Sequence, residues 1–328
     1  MKKQVLLSLI LAGSMVAASA QAEEQQQNQS SNTSTIKMSD VQKKDEQTKD
    51  IDDEITNAKM RAESGSKSKY SVSIEFALNG GNLVEPLGKV RPNYSGIATQ
   101  DTATNLTGEV GVSYRINPKN RLNLSTGVSV GQPFHSNIEE VSRLKNEGGK
   151  TDVSTPSLTW STAGRIGGTQ NSLSVGYSHH TKQVYTDLYK MVGDLGVSHV
   201  VIFDIEGSNW QPGLSTSVGN TFYSDGANSS DVIGNDDRRA DYYFGFYPFV
   251  EYSFNDRYSF RTVFRPFVYS HNRSDDALTF EKDMYTQSLG IGIAVTRDIY
   301  LYPNMQFAPE NLKPELTNVG LSSTINIF

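Results

Sequence analysis

The sequence predicts an all-β protein, a closed antiparallel barrel of twelve strands, each long enough to cross a lipid bilayer. Three observations predict it. From residue 69 onward apolar and polar side chains alternate with a period of two, which gives a strand two chemically different faces. The connections between these segments are short and long by turns. The polar face is mostly Ser, Thr, Gly and Asn rather than long charged groups, which suits an enclosed lumen better than bulk water.

The chain opens with Lys2 and Lys3, an apolar run over residues 5–11 and the sequence Ala20-Gln21-Ala22. A basic region, an apolar stretch and an A-x-A site read as a signal peptide over residues 1–22, with Glu23 as the first mature residue. No later apolar run approaches the roughly 18 residues of a membrane helix. A mean hydropathy of -0.46 excludes a helical membrane protein. It does not exclude a barrel, in which only alternate residues face lipid. The net charge of -6 and pI near 5.5 argue against nucleic acid as a partner. With no cysteine, neither a disulfide framework nor a thiolate metal site can form.

Residues 23–68 differ in composition and are expected to form a flexible arm ahead of the barrel. A Gln/Asn/Ser tract over residues 25–35 has no core-forming residues and reads as disordered. Residues 36–62 read as helical, with Val41, Thr48 and Ile55, and Ile51 and Ala58, at heptad spacing. Lys44 interrupts that seam, so a solvated arm and a homo-oligomerising coil both stand. Ser64, Gly65, Ser66 and Ser68 form a hinge.

The first strand places Tyr70, Val72, Ile74, Phe76 and Leu78 against Ser71, Ser73, Glu75 and Ala77. The same alternation recurs at 106–116, 122–130, 158–166, 173–177, 214–222, 242–254, 258–268, 285–295, 299–307 and 319–328. Residues 197–205 are weaker, because Val200 and Ile202 spoil the polar face. They count as a strand because only an even number returns both ends of the barrel to one side. Short connections fall at 117–120, 167–171, 207–212, 255–257 and 297–298. Longer ones fall at 80–104, 131–157, 180–196, 224–241, 270–283 and 308–317. A soluble β-sandwich would alternate too. Against it stand the small polar face, strands of bilayer-crossing length, and aromatics near strand ends (Tyr70, Tyr114, Trp160, Tyr177, Tyr258, Tyr285, Phe328) where interface girdles sit.

The terminal segment sets Val319, Leu321, Ile325 and Ile327 against polar neighbours and closes on Phe328. In this it resembles the outer-membrane β-barrels of Gram-negative bacteria, although Asn326 stands where that pattern has an apolar residue. The resemblance implies outer-membrane lipid as surroundings and periplasmic N- and C-termini. It also implies short periplasmic turns, long extracellular loops, and Phe328 as the residue read by the barrel-assembly machinery.

With the apolar set assigned to lipid, the ionisable lumen residues are Glu75, Glu109, Arg115, Arg165, Asp204, Glu206, Glu251, Arg261 and Arg265. Twelve strands give a backbone diameter on the order of 24 Å. A lining of small residues then implies a porin-like channel for passive diffusion of small hydrophilic solutes and ions. Tyr247, Phe249, Phe267, Tyr269, Tyr300 and Tyr302 would narrow one wall. Arg261 and Arg265, four apart on one face, would stand opposite Glu251 as a constriction or as a salt-bridge network. The pore-lining candidates are therefore Arg261, Arg265, Glu251, Arg165, Arg115, Glu109 and Glu75.

Two other readings remain. Loops 80–104 and 131–157 could fold in and plug a structural or surface-recognition barrel. A rim hydrolase would use His135, His179, His180 or His271, the last near Ser274, Asp275 and Asp276. The outline resembles the outer-membrane phospholipase, but that family's His-x-Ser motif is absent, and the strand count does not match omptin-like barrel proteases. Asp225, Asp231, Asp236 and Asp237 read as a solvated acidic loop. No catalytic, cofactor-binding or metal site is expected.

Overall fold

The computed structural model describes residues 50–136, 150–225 and 239–328. The signal-peptide segment, the Gln-rich tract and the first part of the expected helix at 36–62 lie outside the described residues. Twelve long strands form one closed antiparallel sheet. They are β1 Tyr70–Asn82, β2 Asn105–Arg115, β3 Asn120–Gly131, β4 Thr151–Ile166, β5 Thr169–His179 and β6 Met191–Ile202. There follow β7 Trp210–Tyr223, β8 Ala240–Ser253, β9 Tyr258–Arg265 continued as Phe267–Asn272, β10 Thr286–Thr296, β11 Ile299–Phe307 and β12 Asn318–Ile327. Each strand pairs with its neighbours in sequence. β1 closes on β12 with Val72 opposite Ile327 and Leu78 opposite Leu321. Closure leaves no unpaired sheet edge.

The sheet is inside out relative to a soluble protein. Val112, Leu124 and Ile166 point outward at 58%, 62% and 70% exposure, whereas Ser113, Ser125 and Ser172 face inward and are buried. Aromatic pairs ring the outer surface, among them Tyr70–Tyr114 at 5.4 Å, Trp210–Tyr252 at 4.7 Å and Tyr177–Phe222 at 6.5 Å between ring centroids.

Two details differ from the sequence reading. β6 begins at Met191, earlier than the segment at 197–205, so Asp204 and Glu206 lie beyond its end in the connection to β7. β9 is broken at Pro266, which has no N–H to give to a ladder. Residue pairing shifts there, from Phe249 opposite Val263 to Phe246 opposite Phe267. The phase reverses across the break. Phe267 points out at 49% exposure and Val268 turns into the barrel, contrary to the uninterrupted alternation. Phe328 also departs from simple phase. Its positive φ of 76° follows the last ladder residue and leaves the ring 79% exposed.

Candidate functional site

The described residues ahead of β1 occupy the barrel's mouth at the short-turn end. The heptad reading foresees one long helix. Instead two single-turn helices form, α1 Ile51–Glu54 and α2 Ala58–Ala62. Each has its own cap. Asp50 accepts from the Asp52 N–H at 3.2 Å, and Asn57 Oδ1 accepts from the Met60 N–H at 2.9 Å. Such N-caps satisfy backbone donors that a helix leaves open, so residues 55–57 act as a break and a restart.

Burial sets the described part of the arm, from residue 50 onward, inside the barrel wall. Ile51, Ile55 and Met60 are at most 2% exposed and pack in one cluster with Ala163, Ile202, Tyr247, Phe249, Val263 and Val268 from the barrel wall. Ile51 and Ile55, read as parts of a coiled-coil seam, meet the lumen wall. Val200 packs against the same cluster. The two residues that spoil the polar face of β6 are therefore the wall's half of this contact.

Polar latches surround the cluster. Arg297, in the β10–β11 turn, grips Asp52 through Nε and Nη2 at 3.0 and 2.7 Å and donates to the Arg61 carbonyl at 2.7 Å. Bidentate pairing of this kind is both stronger and more directional than a single contact. Burial brings the Arg297 guanidinium down to about 10, against the opposing pull of Asp52 and Asp298, so it stays charged at neutral pH. Lys119 pairs with Glu54 at 2.7 Å, and Lys67 bridges Asp50 and Asp52 at 2.6 and 3.0 Å. Gln170, fully buried, accepts from the backbone N–H groups of Thr56 and Asn57, both at 2.9 Å.

The sequence-derived lumen candidates fall into four groups. Arg115 and Arg165 hold the plug. Arg115 donates to the Ser64 and Gly65 carbonyls at 2.8 and 3.2 Å. Arg165 donates to the Glu54 carbonyl at 2.8 Å and pairs with Asp204 at 2.5 Å. Arg261 and Glu251 meet at 3.2 Å, both at most 4% exposed. Asn57 Nδ2 donates to the same Glu251 oxygen at 3.1 Å, and the Arg261 guanidinium lies 4.0 Å over the Phe249 ring. The pair therefore forms the floor on which the plug rests. Arg265 lies apart, donating to Ser288 at 3.2 Å. Glu75 and Glu109 face each other on adjacent strands, and Glu109 accepts from the hydroxyls of Ser125 and Ser157. Sequence reasoning missed Asn57, Gln170, Lys119 and Arg297. The one available signal was the short-range capping chemistry at Asp50 and Asn57.

Glu63, on the plug after α2, is fully buried, and burial pushes its carboxyl up to about 8 despite contact with Lys59 and the nearby positive charge of Arg261, while Glu75 adds to the rise. A released Glu63 would return to its ordinary value of 4.5. The docked form therefore holds its proton more tightly. Through Glu63, docking should weaken as the pH rises from about 4.5 towards about 8. Limited proteolysis of the plug across this range is expected to show faster cleavage at the alkaline end. Glu63→Gln should flatten the profile; an unchanged profile would assign the dependence to another group.

Above the plug, towards the long connections, the lumen opens into a cavity of about 330 Å³. Two of the rim histidines are tied to carboxylates. His271 Nδ1 contacts Asp241 at 2.7 Å and its ring stacks on Tyr242; His180 Nε2 contacts Asp194 at 2.6 Å. His135 Nε2 contacts the Leu87 carbonyl at 2.7 Å.

No known protein family matches the chain, and no curated protein matches it. Among solved structures it is similar to an outer membrane channel from Pseudomonas putida F1, at 10% identity and a TM-score of 0.44, over 79% of this chain and 96% of that one. It is similar also to the NanC porin, at 9% identity and a TM-score of 0.42, over 78% and 100% of the two chains. For the KdgM porin the values are 8% and 0.37, over 79% and 98%.

Proposed function

We propose that this chain is an outer-membrane channel for small hydrophilic solutes and ions, held closed at its short-turn mouth by its own residues 50–66. One observation carries the reading. The lumen is walled by small polar residues, as a water-filled pathway requires, and the segment that fills its mouth belongs to neither wall nor loop. It joins the barrel by a single covalent connection before Tyr70, so it can leave without breaking a strand. The apolar outer surface and its aromatic pairs fit lipid. The short-turn end, which receives both the plug and the terminal strand, would face the periplasm, with Phe328 free for the assembly machinery.

A second reading has its own support. The Ile51–Ile55–Met60 cluster is well packed, as in a barrel that is permanently stopped and serves a structural role. A cysteine pair separates the two, and the chain has no native cysteine to interfere. The side chains of Asn57 and Gln211 meet at 2.8 Å. With both changed to Cys, a thiol-reactive cross-linker as long as the two native side chains can join the sites, and planar-bilayer recordings should show brief openings before cross-linking and none after it. Steady conduction in the cross-linked state would refute the plug. Silence before cross-linking, and also after removal of residues 50–66, would support the structural barrel.

A further inference from the structure

The cavity above the plug has a chemistry of its own. Eleven of its 25 lining residues are Ser or Thr. Its charged lining is unbalanced, with Glu109, Asp152 and Asp194 against Lys182. Lys182 is already drawn to Asp152 at 3.6 Å. Tyr185 and Tyr243 add two aromatic rings. His180 lines the same cavity, is 8% exposed, and has an Nδ1 with no hydrogen-bond partner.

The tautomer of His180 follows from its neighbour. Nε2 lies 2.6 Å from Asp194 Oδ2, and the other oxygen of Asp194 accepts from the Thr221 hydroxyl at 2.6 Å. A carboxylate only accepts, so the neutral imidazole carries its proton on Nε2 and leaves Nδ1 as an acceptor. A buried acceptor left without a donor costs free energy. The cavity thus presents carboxylates, which only accept, among hydroxyls that serve either role, with the buried His180 ring holding Asp194 in place behind them. What is complementary is a solute rich in O–H and N–H donors and neutral or positive in charge.

We propose that this cavity binds small polyhydroxylated solutes, with a preference for those that carry an ammonium group. The proposal rests on the channel reading, because it names the solute class that would cross. Polyol hydroxyls would meet the Ser/Thr positions and the carboxylates. The ammonium would be drawn to the excess of carboxylates, and an anionic polyol would be repelled by it. The volume suits a solute the size of a single sugar, near the lower end of ligand cavities.

Calorimetric titration of the full chain in detergent reads this site whether or not the barrel conducts. The probes are glucosamine, glucose and gluconate, which share size and hydroxyl pattern but differ in charge. Glucosamine should bind about tenfold more tightly than glucose, as expected for a charge-assisted contact, and gluconate more weakly than either. Asp194→Asn should narrow the gap between glucosamine and glucose, with folding checked by heat-modifiable gel migration. If a variant fails to fold, the three wild-type titrations still decide. Gluconate binding as well as glucosamine, or no binding of any probe, would overturn the site. Failure of the channel reading would appear separately, as silence in the bilayer after plug removal.

Discussion

Deleting residues 50–66 is expected to convert a closed barrel into an open one, raising single-channel conductance by about tenfold or more, since pore radius and lining set conduction. The barrel should survive, because none of its strands begins before Tyr70 and closure runs through β1 and β12. The deletion strips Ile51, Ile55 and Met60 from the apolar cluster and uncovers Phe249 and Ile202 to water. That exposure weakens the barrel, so its unfolding temperature should fall even as conductance rises. Selectivity should change as well. The segment carries five carboxylates (Asp50, Asp52, Asp53, Glu54, Glu63) against Lys59 and Arg61. Its removal leaves Arg115, Arg165, Lys119 and Arg297 without their plug partners. The opened mouth should therefore favour anions, read as a shift in reversal potential across a salt gradient. A folded deletion variant with the conductance and selectivity of the full chain would refute the occlusion.

Arg261→Gln should destabilise the barrel by about 3–5 kcal/mol, the range for leaving one member of a buried ion pair uncompensated. From the sequence, neutralising Arg261 and Arg265 together is expected to alter transport and spare the fold. The structure revises that expectation for Arg261. Glu251 is 1% exposed and has Arg261 and Asn57 as its donors, so losing the guanidinium strands a carboxylate. The midpoint of the heat-modifiable gel shift should drop sharply for Arg261→Gln and recover in part for Arg261→Gln with Glu251→Gln, where no charge is left buried. Arg265→Gln, at a residue that lies apart from the buried Arg261–Glu251 pair and bonds Ser288, should shift it less than Arg261→Gln does. A double variant no better than the single one would mean that Arg261 acts through its packing on Phe249 rather than through charge.

The two predictions draw on different parts of what could be read in advance. That Arg261 and Glu251 share the lumen follows from strand phase, and the ladder places them directly opposite. The Pro266 break was also present in the sequence, yet its consequence was not. A proline marks where a ladder can shift but not which way the phase resumes, which is set by whether Phe246 or another residue finds Phe267 across the sheet.

Within the sequence alone, the period-two pattern determined eleven of the twelve strands and the polar lining, because alternation is a local property and each strand carries its own copy of it. The twelfth strand followed from parity. The plug was decided by tertiary structure. Asn57 meets Glu251 across 194 residues of chain, and Gln170 reaches the Thr56 and Asn57 N–H groups across more than a hundred. Contacts so distant leave no periodic trace. Besides the caps at Asp50 and Asn57, their visible imprint was the apolar pair Val200 and Ile202 on a face that should have been polar. It became intelligible once Ile51 and Ile55 stood opposite, since an apolar patch inside a wet lumen is stable only when another apolar surface covers it.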